Sequence, residues 1–373
     1  MRTILLLSLG LSALLPAMAK AQDFSLIFTS EARAIQSQAN TPLGQATLAS
    51  ANNLLRRDPN PVTVIRMEGK LPNDPDYKIT SQAAADLPGM TDLALAYRLT
   101  GDRKYLDAAT RYIKAWASTY QTRIDPIDDQ DFYYFFIAND LVSSDLPSDV
   151  KALTKTFCEQ YAQAYMAEIE RAPSPGDPAA DPNNPVYKGY NKPDPTRINN
   201  FQSHRLKLAV LAAFAAGDDS LIKRAHTAYE KQVAININPD GSVLDFHTRD
   251  ALHYVIYDLE PLLIVAMAAH AHTQDWFSYR APNGSSLEAA VSWLVPFAEG
   301  QQTHQEFIHS NVPFDQQRAK AGVKGFSGPW DPKGSVTTFA YASVLNPKFR
   351  KVLTDVESQT GGQPPHFMLA VEP

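Results

Sequence analysis

The chain has 373 residues, 44% of them hydrophobic, with a formal net charge of −6 at pH 7. That apolar fraction is ample for a large core, and the acidic balance argues against nucleic acid as a partner. A polyanionic sugar stays open, because a basic cleft can sit in an acidic protein, whereas the single cysteine, Cys158, excludes a framework of intramolecular disulfides.

In chain order, Met1-Arg2, the apolar run Ile4-Leu5-Leu6-Leu7 and the small residues Ala17-Met18-Ala19-Lys20-Ala21 form the pattern of a secretory signal peptide. Cleavage is expected after Ala21, with Ala19 the alternative, leaving residues 22–373 as one exported domain, periplasmic or secreted. No later apolar run reads as long and charge-free enough to cross a bilayer. Residues 28–57 read as a helical pair stopped by Pro59 and Pro61, residues 62–70 as a short strand, and residues 71–77 as a loop. From Thr80 onward the apolar residues recur at three and four: Leu93, Ala96 and Tyr97, then Tyr105, Ala108, Tyr112 and Trp116. Thr100-Gly101-Asp102 ends one helix and starts the next. Further pairs follow at 129–141 with 147–171, 199–216 with 220–234, and 247–271 with 286–298, before a last helix near 337–345. Residues 172–196 carry seven prolines and two glycines and read as a long loop, a wall or lid over a cleft. Repeated helix pairs of similar length predict an all-α fold, an (α/α) toroid of five to seven helical hairpins.

Two clusters carry chemistry. Residues 240–262 open on the turn dipeptide Asp240-Gly241 and place His247, Arg249, His253, Tyr254 and Tyr257 within eleven positions. These are proton-transfer groups and an anion clamp, suited to acid–base work on an anionic substrate, although Tyr and His at helical spacing also serve as half-buried packing. The second cluster is Thr196-Arg197-Ile198-Asn199-Asn200-Phe201-Gln202-Ser203-His204. If the helix begins near Asn199, then Asn200 and His204 share a face; equally, Asn199 is a cap and Asn200 follows it. Lys188, Tyr190, Arg318 and Trp330 fall in loops where rings and cations suit sugar subsites. His304, Glu306 and His309 are too loosely spaced to be read as a metal site.

The Arg-x-Asn-Asn run at Arg197 to Asn200 and the Ala-Leu-x-Tyr-x-x-Tyr-x-Leu-x-Pro-Leu run at Ala251 to Leu262 resemble the alginate lyase superfamily of α/α-toroid polysaccharide lyases. The resemblance implies that Asn200 helps neutralise a uronate carboxylate and that Tyr254 shuttles the proton. The imidazole that follows the second Asn in the family is replaced here by Phe201, with His204 one turn further. The family's upstream Arg falls at His247, with Arg249 two residues on. These departures place the chain nearest the branch that cleaves β-1,4-glucuronan, with polymannuronate as the alternative substrate. The implied reaction is β-elimination: Tyr254 as base and acid, with Asn200, His204 and Arg249 as neutralisers. Arg197, His247, His253, Tyr257, Tyr190, Lys188, Arg318 and Trp330 would hold the polymer, and no metal or cofactor is called for. Two other classes stay open. One is a hydrolase using a carboxylate pair drawn from Asp128, Asp129, Asp240, Asp245, Asp250 and Asp258. The other is a binding protein indifferent to Tyr254. Oligomeric state is not legible.

Overall fold

Short polar residues at helix starts and glycines at helix ends divide this chain into paired segments. The computed structural model describes Leu26 and residues 32–171 and 195–371; the expected signal peptide and most of the proline-rich loop, with Lys188 and Tyr190, lie outside the described residues. Helices α1 (Ala32–Ser37) and α2 (Pro42–Leu54) form the first element, and Thr41 caps α2 by accepting from Gly44 N–H. Helix α3 (Pro75–Ala84) starts inside the expected loop, because the Asp74 carboxylate accepts from Asp76 and Tyr77 N–H and Pro75 presets the first turn.

Five successive helix pairs follow. They are α4 (Asp86–Thr100) with α5 (Arg103–Thr119), α6 (Tyr133–Val142) with α7 (Ser148–Ile169), and α8 (Asn200–Ala216) with α9 (Asp219–Asn236). The short α10 (Leu244–Arg249) then leads into α11 (Leu252–Ala271), paired with α12 (Leu287–Ala298). After α13 (Pro313–Lys320) comes α14 (Val336–Leu345) with α15 (Arg350–Thr360). Helix α15 lies beyond the expected last helix. Gly101 and Gly217 end α4 and α8 in the left-handed region, at φ 73° and 70°, and Asp102 and Asp218 cap the helices that follow.

The first helix of each pair lies inside. Helix α4 packs on α6, α6 on α8, α8 on α11, and α11 on α14. Their burial pattern explains the placement: α8 and α11 are buried almost all round, whereas α5 buries one stripe of Tyr105, Leu106, Ala109, Tyr112, Ile113 and Trp116. By length and composition α11 is apolar enough to span a bilayer, contrary to the expectation of no such run, yet here it is a core helix buried against α8 and α14. The result is the (α/α) toroid.

Residues 62–70 are not a strand. Extended backbone there has no neighbouring ladder; Met67 and Glu68 N–H donate instead to the Asp128 carboxylate, and Gln121 N–H to the Thr63 carbonyl. Among the described residues, only isolated bridges occur. The expected single helix over 247–271 is also broken. Asp250 adopts φ 49°, ψ 53°, which ends α10 and restarts the chain as α11.

Candidate active site

The break at Asp250 is held by a segment far along the chain. Asp250's carbonyl accepts from Phe307 N–H at 2.8 Å and stands 3.0 Å from His304 Nε2, and its carboxylate accepts from His309 N–H. The Glu306 carboxylate accepts from Leu252 and His253 N–H, satisfying two donors of the α11 start. Phe307 is itself left-handed at φ 63°. Two non-glycine residues in a sparsely populated conformation, facing each other across one hydrogen bond, hold local strain that the surrounding contacts fix in place. Glu306 and its neighbours therefore latch a helix start, and among the described residues no group of side chains is arranged to hold a metal.

The break lets Arg249 reach Tyr254. In an unbroken helix, residues five apart point roughly 140° away from each other. Here the Arg249 guanidinium stacks 3.8 Å from the Tyr254 ring centroid and its Nη2 donates to Tyr254 Oη at 2.6 Å. Asp315 is wholly buried and holds Arg249 through both carboxylate oxygens, with Nε donating at 2.7 Å. The Ser310 hydroxyl supports Asp315 at 2.6 Å. A second cation, Arg318, donates from Nη1 to the same Tyr254 Oη at 3.0 Å. Two guanidinium N–H groups thus occupy the acceptor sites of one phenol. Burial raises the Tyr254 pKa above its ordinary value, while Arg249 and Arg318 pull the other way. The unliganded phenol is protonated at neutral pH, but its phenolate has two charge-assisted donors already in place.

Tyr254, Arg249 and Arg318 line a cavity of about 440 Å³ together with His253, Tyr257, Asn200 and Phe201. Its far lip is residues 67–70 with Pro72 and Tyr77, and Phe314, Val323 and Phe326 close the near side. Asn199 caps α8, as one of the two readings of the Asn pair has it, and Asn200 is clamped by Asp245. Asn200 N–H and Nδ2 donate to the two Asp245 oxygens at 2.8 and 2.7 Å, which fixes the amide's orientation. Asn200 Oδ1 is buried without a partner. Its Nδ2 keeps a second hydrogen beyond the one given to Asp245.

The structure brings Asn200, Arg249, His253, Tyr254, Tyr257 and Arg318 to one cavity and leaves four expected residues out. His204 shares the face of Asn200 toward α11, but it lies one turn, ~6 Å, deeper. It is buried behind Tyr257, with Nε2 3.1 Å from the Tyr257 carbonyl. The reason is Pro261: a proline four residues on has no N–H to give that carbonyl, so His204 Nε2–H supplies one. Burial, then Lys207, holds this imidazole neutral, well below the usual histidine range. Arg197 hydrogen-bonds the carbonyls of Glu168, Ile169 and Arg171 at the end of α7, and lines a separate cavity against α9. His247 is exposed and bound to Ser242 Oγ at 2.8 Å, and Trp330 packs on the core with its backbone N–H donating to the His304 carbonyl.

Sequence reasoning missed Asp315, Gln130 and Glu68, and weighed Glu306 only as a metal ligand. Gln130 Oε1 accepts from Tyr257 Oη at 2.6 Å. Asp315 and Glu306 come from a polar, turn-rich tail that carries no periodic signal. Pro261 was a usable sign, since its position announces that the Tyr257 carbonyl needs a partner.

Among the described residues, Glu68 is the cavity's only carboxylate. None of the aspartates considered for hydrolysis lines it. Asp128 accepts from backbone N–H groups, Asp129 lies under the hydroxyls of Tyr120, Tyr161 and Tyr165, and Asp245 clamps Asn200.

Comparison with known proteins gives matches of three kinds. The alginate lyase family model matches residues 29–304. A polysaccharide lyase of Stenotrophomonas maltophilia (strain K279a) is 37% identical over 90 residues, 23% of this chain; that stretch spans 27% of the relative's own length. An alginate lyase from Bacteroides ovatus superposes with a TM-score of 0.65 at 16% identity, covering 95% of this chain and all of the other. Alginate lyase A1-III from Sphingomonas species A1 gives 0.60 at 17%, covering 95% and 98%, and a variant of it has been solved with a tetrasaccharide.

Proposed function

We propose, from the premise that the chain belongs to the alginate lyase family, that it is a polysaccharide lyase cleaving a β-1,4-linked polyuronate by β-elimination. One observation carries the reading: Tyr254 Oη receives N–H donors from Arg249 and Arg318 on the wall of a cavity that Asn200 also lines. As phenolate, Tyr254 takes the C5 proton. The electron pair of the C5–H bond spreads toward the carboxylate and forms the C4–C5 double bond as the C4–O4 bond breaks. The proton on Tyr254 then passes to O4, which leaves as a hydroxyl and restores the phenolate. In β-linked glucuronate and mannuronate the C5 hydrogen and O4 lie on the same side, so one residue serves both transfers. Asn200 binds the carboxylate where charge grows, a role in which one preorganised donor contributes roughly 3 to 4 kcal/mol.

Hydrolysis by a carboxylate pair is disfavoured because Glu68 stands alone in the lining, and pure binding gives no reason for two guanidiniums on one phenol. For the sugar we propose glucuronan, supported by Phe201, an apolar ring in the wall that reshapes the pocket around the sugar ring. Mannuronate differs by an axial 2-hydroxyl, which a pocket built for the equatorial one rejects by clash or by an unpaired polar group. Export through the leader at residues 1–21 fits a polymer substrate met outside the cytoplasm.

The test is ultraviolet absorbance of the purified chain acting on glucuronan, polymannuronate, polyguluronate and hyaluronan. Unsaturated ends with kcat/KM highest on glucuronan are expected. New reducing ends without that absorbance would replace the lyase reading with hydrolysis, and equal or better activity on polymannuronate would defeat the glucuronan choice alone.

A further inference from the structure

A carbon acid beside a charged carboxylate needs donors on that carboxylate, and most donors of this cavity are already engaged. Arg249 serves Tyr254 and Asp315, Arg318 donates to Tyr254, and Lys70 is paired with Asp74 and Asp76. Asn200 has given one of its two amide hydrogens to Asp245. On the α8 side, where an imidazole would follow Asn200, stands Phe201. Across the cavity, His253 immediately precedes Tyr254. It lines the same cavity, and its side chain makes no hydrogen bond to any of the described residues.

From this juxtaposition we propose that His253 is a further catalytic residue, whose imidazole N–H binds the uronate carboxylate from the α11 side while Tyr254 removes the C5 proton. The inference rests on the lyase reading. Three features of the position support it. Its backbone is fixed, because His253 N–H donates to Glu306 at 3.1 Å at the latched start of α11. Its ring is held without using the nitrogens, at 5.2 Å from Phe326, 6.2 Å from Phe307 and, stacked, 6.3 Å from Tyr257. Burial first, then Arg318 and Arg249, bring its pKa down to about 4, so the ring is neutral at working pH. A neutral imidazole has one N–H to donate and adds no charge that would trap the substrate in its ground state; such a group polarises an oxygen where negative charge develops. The carboxylate would then sit between Asn200 on one helix and His253 on the other.

The experiment is steady-state kinetics on glucuronan with His253→Phe, His253→Gln and the double variant His253→Phe/Phe201→His, each melted beside the wild type. The Phe ring keeps the aromatic contacts and removes only the donor; His253→Met serves the same comparison if the Phe variant does not fold. The expected result is a kcat about 100-fold lower in His253→Phe with KM changed less than about threefold. His253→Gln, which keeps an N–H, should stay within about tenfold of wild type, and the double variant should regain about tenfold over His253→Phe. A His253→Phe enzyme with kcat within about threefold of wild type, or one altered only in KM, overturns the proposal. Wild-type enzyme that makes no unsaturated ends on any uronan would instead remove the lyase reading, and this inference with it.

Discussion

The starts of α8 and α11 look alike in sequence, each with a histidine and hydrogen-bonding side chains within two turns, yet only one of them presents its imidazole to the cavity. At α8 the helix runs unbroken from its Asn199 cap, so His204 follows Asn200 inward and ends behind Tyr257, answering a carbonyl that Pro261 has left without a helix partner. At α11 the helix is interrupted. Left-handed Asp250 and the Glu306 latch turn Arg249 back over Tyr254 and leave His253 on the cavity wall. Helical spacing tells which residues share a face; interruptions tell how far along that face a cavity begins.

The sharpest way to break this comparison is Tyr254→Phe. It removes only the oxygen proposed to transfer the proton at the α11 start, so turnover should fall at least about 1,000-fold while affinity for the polymer, read by calorimetry, stays near wild type. A variant retaining more than a tenth of the rate would move the base elsewhere. At the α8 start, Asn200→Ala should lower kcat about 100-fold with a smaller change in KM, because in the proposed reaction the amide binds charge that grows in the transition state. A change confined to KM would make Asn200 an ordinary subsite contact.

Arg318→Gln tests the electrostatics of the α11 start. Arg318 lowers the Tyr254 pKa, so its loss should raise it further, and the acidic limb of the kcat/KM profile should move to higher pH. Wild-type kcat/KM should itself still be rising above neutrality, since burial holds the free phenol protonated there. With a shift of one unit, activity at pH 7 would drop about tenfold and recover in alkali. An unmoved limb would show that Arg318 binds polymer and does not tune the phenol.

His204→Ala should do least to catalysis, changing kcat/KM by under about threefold. Its effect should appear in thermal melts, because a buried carbonyl loses its donor, about 1–3 kcal/mol. Pro261→Ala returns an N–H to that carbonyl, so His204→Ala should cost measurably less in that background, with a coupling of about 1 kcal/mol. Loss of kcat in His204→Ala without loss of stability would return the neutralising role to α8.

Much was legible without coordinates. The three-and-four spacing of apolar residues, with Gly101 and Gly217 as stops and Asp102 and Asp218 as starts, determined where the helices pair and hence the toroid, because capping and burial of one stripe are local rules. The kinds of side chain near residues 200 and 254 likewise pointed to an acid–base site for an anion. Tertiary structure alone decided which of them meet. Asp315 lies 66 positions from the Arg249 it holds, and Glu306 lies 53 and 54 positions from the helix start it caps, and no local periodicity connects such partners. The run at 62–70 alternates like a strand, but its residues 67–70 line the cavity, because the Met67 and Glu68 N–H groups are taken by a carboxylate on another loop and no neighbouring strand pairs with them. Depth is likewise a property of packing: four residues along α8 separate an amide in the cavity from an imidazole in the core, and a proline on the opposing helix determines which is which.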